Sequence, residues 1–169
     1  YPNTPIGISE YGCEALNWHT SDPVQGDYSE GYQAMYHEHY VKTINANDWI
    51  WGSYVWNMFD FGSAIRNEGG VKGRNNKGLV TMDRKIRKDA FFVYKAYWSD
   101  EKFVHIAGER FVDRPTGEQK IKVYSNCDSV TLTVNGEAQT LEANGIFVFT
   151  VELKEGENII TAKLLNTCC

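Results

Sequence analysis

The sequence predicts two segments of different class, α/β over residues 1–101 and all-β over residues 102–169. Two observations carry the division. Residues 1–100 hold long mixed segments with apolar residues at helical spacing and clusters of aromatics. Residues 103–165 change to short runs in which every second residue is apolar, joined by Asn- and Gly-bearing turns. Within the first segment the order is strand, loop, helix, strand, very long loop, helix, as at the close of an alternating β/α fold.

Each element has its own signal. Ile6-Gly7-Ile8-Ser9 is a short apolar run that ends at an acid, Glu10, and a polar stretch follows over 17–28. Residues 30–47 space Tyr32, Met35, Tyr36, Tyr40, Val41 and Ile44 at helical intervals, which predicts a helix buried on that side. Residues 50–56 are β-branched and aromatic and predict a buried strand. A loop over 57–88 carries Gly69, Gly70 and Gly73, which let it fold sharply. Asp89 then caps a last helix over 90–98, with Phe91, Tyr94, Lys95 and Trp98 on one side.

In the second segment the predicted strands are 119–124, 129–134, 146–153 and 158–164. Val130, Leu132 and Val134 share one face, as do Phe147, Phe149, Val151 and Leu153. Asn135-Gly136 is a type I′ hairpin signal, because both residues tolerate positive φ, and Glu155-Gly156-Glu157 is a second turn. The result is a small antiparallel β-sandwich. The first segment is not self-sufficient: two strands and two helices leave most apolar faces open, so the chain reads as a fragment.

Composition narrows the function. The formal net charge is −5 without long runs of one sign, which argues against nucleic acid or an anionic membrane as partner. No apolar run approaches the roughly 18 residues that span a bilayer. Aromatics make up 14% of the chain; such rings stack on sugars or fill cores, and composition by itself favours cores. Cys13, Cys127, Cys168 and Cys169 include no C-x-x-C spacing and read as free thiols, the last pair alternatively as part of a disordered tail. His37-Glu38 lacks the second His that a zinc helix needs, since Val41 stands there, and His37 and His39 read as solvated. The stretch from Gly73 to Gly78 lacks the Lys-Ser/Thr of a phosphate loop. No metal site and no cofactor is evident.

Glu10 is the candidate for chemistry. A carboxylate at the carboxyl end of a barrel strand can attack an anomeric carbon, while a second carboxyl about 5 Å away protonates the leaving oxygen. Taken alone, Glu10 reads more readily as a surface acid that opens a loop.

A wider pattern changes that reading. Pro5-Ile6-Gly7-Ile8-Ser9-Glu10-Tyr11-Gly12 resembles the nucleophile segment of glycoside hydrolase family 2. Val55-Trp56-Asn57-Met58-Phe59-Asp60-Phe61 resembles that family's last barrel strand and the loop after it. Arg66-Asn67-Glu68-Gly69-Gly70, the run from Gly73 to Thr81, Asp83-Arg84-Lys85, Lys88-Asp89-Ala90-Phe91 and Tyr94-Lys95-Ala96 follow in order, as in its β-galactosidases. Phe103-Val104-His105-Ile106 and the run from Ile121 to Asn126 resemble the start of the next domain. A lone Ser-Glu-Tyr-Gly is weak, whereas the ordered set is specific and covers nearly the whole chain.

The resemblance implies the C-terminal part of a (β/α)8 TIM barrel followed by an immunoglobulin-like β-sandwich. It implies hydrolysis of terminal β-D-galactosides or other β-linked carbohydrate with retention, and Glu10 as nucleophile. Trp56 matches the aromatic platform under the sugar, with a core Trp as the plain alternative. Asn75 and Lys77 form an N-x-K pattern, which grips the sugar carboxylate in the family's β-glucuronidases and recurs in related β-galactosidases. Asp60 is a further candidate for a sugar hydroxyl, and Glu68 for organising its own loop. Glu14 and Asp22 are other acids near the expected mouth.

Departures qualify the match. Cys13 stands where the large tetrameric bacterial galactosidases have His. Lys77 stands where they have an Asn that holds a monovalent cation, and a charged Lys is no metal ligand. The acid/base partner has no candidate here, so the piece requires the rest of its catalytic domain and is expected to be inactive alone. Two rival readings stand beside the galactosidase: a β-glucuronidase, from Asn75 and Lys77, and a non-catalytic carbohydrate-binding or spacer module. Spacer is the better form of the last, since Phe147 and Phe149 alternate inward.

Overall fold

The computed structural model describes residues 3–164. The terminal cysteines Cys168 and Cys169 lie outside the described residues. The chain divides into two compact units, Tyr1–Phe91 and Phe92–Cys169. The division precedes the expected 101/102 boundary, since the last helix gives its first turn to one unit and its remainder to the other.

In the first unit, strand β1 (Ile6–Tyr11) and strand β2 (Ile50–Val55) pair in parallel, with helix α1 (Glu30–Asn45) between them in sequence. Parallel neighbours need such a crossover, and the helix supplies it. Ser29 starts α1: its backbone is extended and its Oγ accepts the Tyr32 N–H at 3.0 Å. Glu30 in the first turn and Lys42 in the last suit the helix dipole.

The buried side of α1 differs from the expected one. It consists of Glu30, Gln33, Ala34, His37, Glu38 and Val41, at helical spacing, while Met35 is exposed and Tyr32, Tyr36, Tyr40 and Ile44 are half-buried. Polar groups take this side because they find partners there. The Glu30 carboxylate accepts the Asp89 N–H at 2.6 Å, and the Gln33 amide donates to three backbone carbonyls. His37, expected in solvent, is fully buried, whereas His39 is exposed. Strand β2 is also not buried as expected. Trp51 is 66% and Tyr54 60% exposed, and β2 has one strand neighbour among the described residues.

Residues 57–88 are more ordered than a plain loop. Strand β3 (Phe61–Gly62) and strand β4 (Arg74–Asn75) pair antiparallel, a 3-10 turn spans Glu68–Gly70, and Gly69, Gly70 and Gly73 have positive φ. Helix α2 (Asp89–Trp98) follows. Asp89, Ala90, Val93, Tyr94 and Ala96 are its buried residues; of Phe91, Tyr94, Lys95 and Trp98, which share one side, only Tyr94 is buried, and Trp98 is exposed.

The second unit is a sandwich of two three-stranded antiparallel sheets. One orders strand β5 (Val104–Ile106), β6 (Gly117–Ser125) and β9 (Gly145–Leu153) as β5-β6-β9. The other orders β7 (Ser129–Val134), β8 (Glu137–Glu142) and β10 (Ile160–Leu164) as β10-β7-β8. The faces meet in one apolar core of Ile121, Val123, Val130, Leu132, Val134, Phe147, Phe149, Val151 and Leu153. Both predicted inward faces are buried throughout. Each fully buried Phe or Leu contributes about 1.5–3 kcal/mol.

The Asn135-Gly136 turn joins β7 to β8, with Val134 opposite Glu137 and φ of 52° and 93° at its two central residues. Strand β8 carried no alternation signal. Its sequence is Glu-Ala-Gln-Thr-Leu-Glu and it forms an exposed sheet edge, where pairing rather than burial fixes the strand. No described helix is long and apolar enough to cross a membrane.

Candidate active site

Glu10 is the fifth residue of β1, with an exposed side chain that forms no hydrogen bond or ion pair among the described residues. Its neighbour Tyr11 points the other way, buried and stacked on Tyr40 at 4.6 Å. The end of β1 is pressed against the end of β2. Trp56 N–H donates to the Tyr11 carbonyl at 2.8 Å, and a Cβ on Gly12 would lie 1.9 Å from the Trp56 carbonyl oxygen, so only glycine fits there. Trp56 is 41% exposed and packs edge-on against Phe61, with ring centroids 6.0 Å apart. Glu10 and Trp56 thus stand at the same ends of two parallel neighbours.

A backbone ladder brings the N-x-K turn to the same place. Asn57 N–H donates to the Lys77 carbonyl at 3.3 Å, Leu79 N–H to Asn57 at 2.9 Å, Val80 N–H to Met58 at 2.9 Å, and Asp60 N–H to Val80 at 2.9 Å. Residues 57–60 therefore lie along 77–80, directly after Trp56. Asn75 is buried and its Oδ1 accepts the Lys77 N–H at 3.0 Å, which fixes the turn. Lys77 is half-buried, and its ammonium forms no ion pair among the described residues.

Buried polar groups support this turn from behind. Glu14 Oε2 accepts the Asn76 N–H at 2.7 Å, and its Oε1 lies 3.6 Å from the Arg66 guanidinium. Burial raises the Glu14 carboxyl above the ordinary carboxylate range, while the Asn76 N–H opposes the shift. The Gln33 amide reaches from α1 to the Cys13 carbonyl at 3.0 Å, Gly78 at 3.3 Å and Lys77 at 3.4 Å. Lys88, fully buried, donates to the Ala15 carbonyl at 2.7 Å, to Asp60 Oδ1 at 2.9 Å and to the Asn76 carbonyl at 3.0 Å. Burial pulls its pKa down and the Asp60 carboxylate pulls it back up. Next to the turn, burial pushes the Cys13 thiol up to about 12, which disfavours the thiolate.

Of the residues singled out in the sequence, Glu10, Trp56, Asn75 and Lys77 come from three segments that these bonds draw together. Asp60, the further candidate, is tied to the protein itself. It is buried, its Oδ1 accepts both the Lys88 ammonium and the Gly78 N–H at 2.9 Å, and its Oδ2 faces Arg74 at 3.5 Å. Glu68 organises its loop through Arg66 at 2.8 Å. Sequence reasoning gave no role to Gln33 or Lys88, since nothing local distinguishes a buried Lys from a solvated one. Among the described residues, no group of three His, Cys, Asp or Glu side chains is placed to hold a metal ion.

Comparison with known proteins agrees with the ordered motifs. No family model matches the chain. A β-glucuronidase of Bacteroides fragilis is 40% identical over 95% of this chain and 25% of its own. The β-galactosidase BoGH2A of Bacteroides ovatus is 30% identical over 61% of this chain and 12% of its own. The crystal structure of an FMN-binding β-glucuronidase from F. prausnitzii L2-6 superposes with a TM-score of 0.93 and 54% identity, over 98% of this chain and 26% of that one. The chain spans about a quarter of the length of the B. fragilis relative. By sequence along almost its whole length, and by a fold shared at that identity, the chain belongs to glycoside hydrolase family 2.

Proposed function

We propose that the complete protein is a retaining β-glycosidase that acts on β-D-glucuronides, with Glu10 as nucleophile. The observation that carries the substrate is Lys77. Its ammonium, without an ion pair among the described residues, sits on a turn fixed by Asn75, next to the strand end that bears Trp56. A fixed cation beside amide and N–H donors matches the carboxylate of a uronic acid, and such charge-assisted bonds are about twice as strong as neutral ones. The similar β-glucuronidases of B. fragilis and F. prausnitzii support the same reading.

In this scheme β1, α1 and β2 belong to a (β/α)8 barrel, with Glu10 and Trp56 at its mouth. Trp56 offers an apolar plate to the sugar ring. The Glu10 carboxylate attacks C1 as an acid on the remaining sequence protonates the leaving oxygen, and water then releases the sugar from the glycosyl-enzyme. The second unit is an immunoglobulin-like spacer. Its Phe147 and Phe149 are fully buried and offer no platform to a glycan.

A β-galactoside is the second reading, favoured by the B. ovatus relative. There Lys77 would donate to a neutral hydroxyl. Chromogenic glucuronide and galactoside, compared on the complete enzyme, separate the two. Lys77→Ala is expected to lower kcat/KM for the glucuronide about 10- to 100-fold; activity equal to the parent refutes the assignment. A fluorinated slow glycoside followed by peptide mapping is expected to label Glu10, and a label on any other residue removes the nucleophile assignment.

A further inference from the structure

Lys88 has an unusual set of partners. Its ammonium has three protons, and each goes to a different segment of the site: the Ala15 carbonyl after β1, the Asp60 carboxylate after β2, and the Asn76 carbonyl inside the N-x-K turn. These segments carry Glu10, Trp56 and Asn75 with Lys77, respectively. All three bonds are 2.7–3.0 Å long, and the side chain is 0% exposed. Removing an ammonium from water is costly unless its protons are matched, so an apolar side chain would be the cheaper way merely to fill this space. The backbone adds to the clamp: Lys88 N–H donates to the Leu79 carbonyl at 2.8 Å, on the segment that leaves the turn.

We infer that Lys88 is a positioning residue for substrate charge recognition, setting Lys77 relative to the strand ends that bear Glu10 and Trp56. The inference rests on Lys77 as the group that meets the sugar carboxylate. Asn76 lies between Asn75 and Lys77, so a bond to its carbonyl fixes the peptide from which the Lys77 side chain departs. The same ammonium holds Asp60, whose Oδ1 accepts the N–H of Gly78 on the other side of Lys77. Lys88 thereby grips the turn on both flanks of the recognition lysine. Without it the turn keeps its Glu14 and Gln33 bonds, so the ammonium is displaced and the turn is not lost.

The test uses the complete enzyme and two aryl substrates that differ only at the carboxyl group, the charged β-glucuronide and its neutral glucuronamide. Lys77→Ala, Lys88→Met and the double variant are compared with the parent. Displacing a positioned group by about 1 Å costs up to about 100-fold. Lys88→Met is therefore expected to lower kcat/KM for the glucuronide at least about tenfold more than for the glucuronamide, the difference lying chiefly in KM. In the Lys77→Ala background, Lys88→Met is expected to cost nothing further, because the two act through one contact.

Equal losses on both substrates, or additive losses in the double variant, overturn the role of Lys88. If Lys77→Ala itself leaves the ratio of the two substrates unchanged, the Lys77 reading fails first and takes this one with it. Should Lys88→Met not fold, Lys88→Arg keeps the charge opposite Asp60 but not the three-way geometry. It is expected to give the same substrate split, and a parent-like ratio overturns the inference.

Discussion

The first unit buries many polar side chains beside its apolar ones, whereas the second buries almost only apolar ones. In the second, the core is apolar on both sheets and its largest members are Phe147, Phe149, Ile121 and Leu132. In the first, Glu14, Glu30, Gln33, His37, Glu38, Asp60, Asn75, Asn76 and Lys88 are all buried, while Trp49, Trp51 and Ile65 are exposed. Burial or hydrogen bonding also displaces the pKa of Cys13, Glu14, Asp27, Tyr36, His37, Asp83 and Lys88 in the first unit. The contrast separates two tasks. An apolar core needs only volume and patterning, so a sandwich stabilises itself. A buried polar network fixes direction and charge at the cost of desolvation, which suits a region that aims functional groups.

The contrast can be broken most directly in the apolar core. Phe149→Ala is expected to cost about 3–5 kcal/mol, read by urea denaturation of the complete protein with a probe in the second unit. A loss below about 1 kcal/mol would mean that the sandwich is not held by its core.

Acid sharpens the comparison from the other side. Burial, followed by the Lys88 charge, lowers His37 from 6.5 to about 3. Between those values the unfolded chain holds a proton that folded His37 refuses, so stability falls as pH drops through that window. Glu14, raised by burial, acts in the opposite sense, so the difference between parent and variant isolates His37. His37→Gln is expected to flatten the acid loss of stability in the first unit and leave the second unit's pH profile unchanged. Identical slopes in parent and variant would show that His37 takes up its proton in the folded state.

The smallest effect is at the hairpin. Gly136 has φ of 93° with open space around its Cα, so Gly136→Ala is expected to cost about 1 kcal/mol through backbone conformation alone. A neutral substitution would show that the turn relaxes to another type, which the β7–β8 register in an NMR spectrum would report.

Legibility followed the same division. The inward faces of β7 and β9 and the Asn135-Gly136 turn were readable because alternation and positive φ are local properties. Strand β8 was not, because Glu137, Gln139 and Glu142 have no burial pattern, and the strand exists through its ladder to β7. Helix α1 was readable as a helix but not in its orientation. Its aromatic residues suggested one side, and the partners of Gln33 and Glu30, 20 to 59 residues away, selected another. Glu10, Trp56, Asn75 and Lys77 stood out as motif residues, whereas the bond of Asp60 to Lys88 was hidden because the two are 28 residues apart.

From the sequence alone came what neighbouring residues can encode: the class of each half, most strand and helix spans, and the acid at the end of β1. Tertiary structure decided which polar side chains leave water. A buried charge or amide is tolerated only where its partners converge, and that depends on segments such as residues 15, 60 and 76 meeting in space.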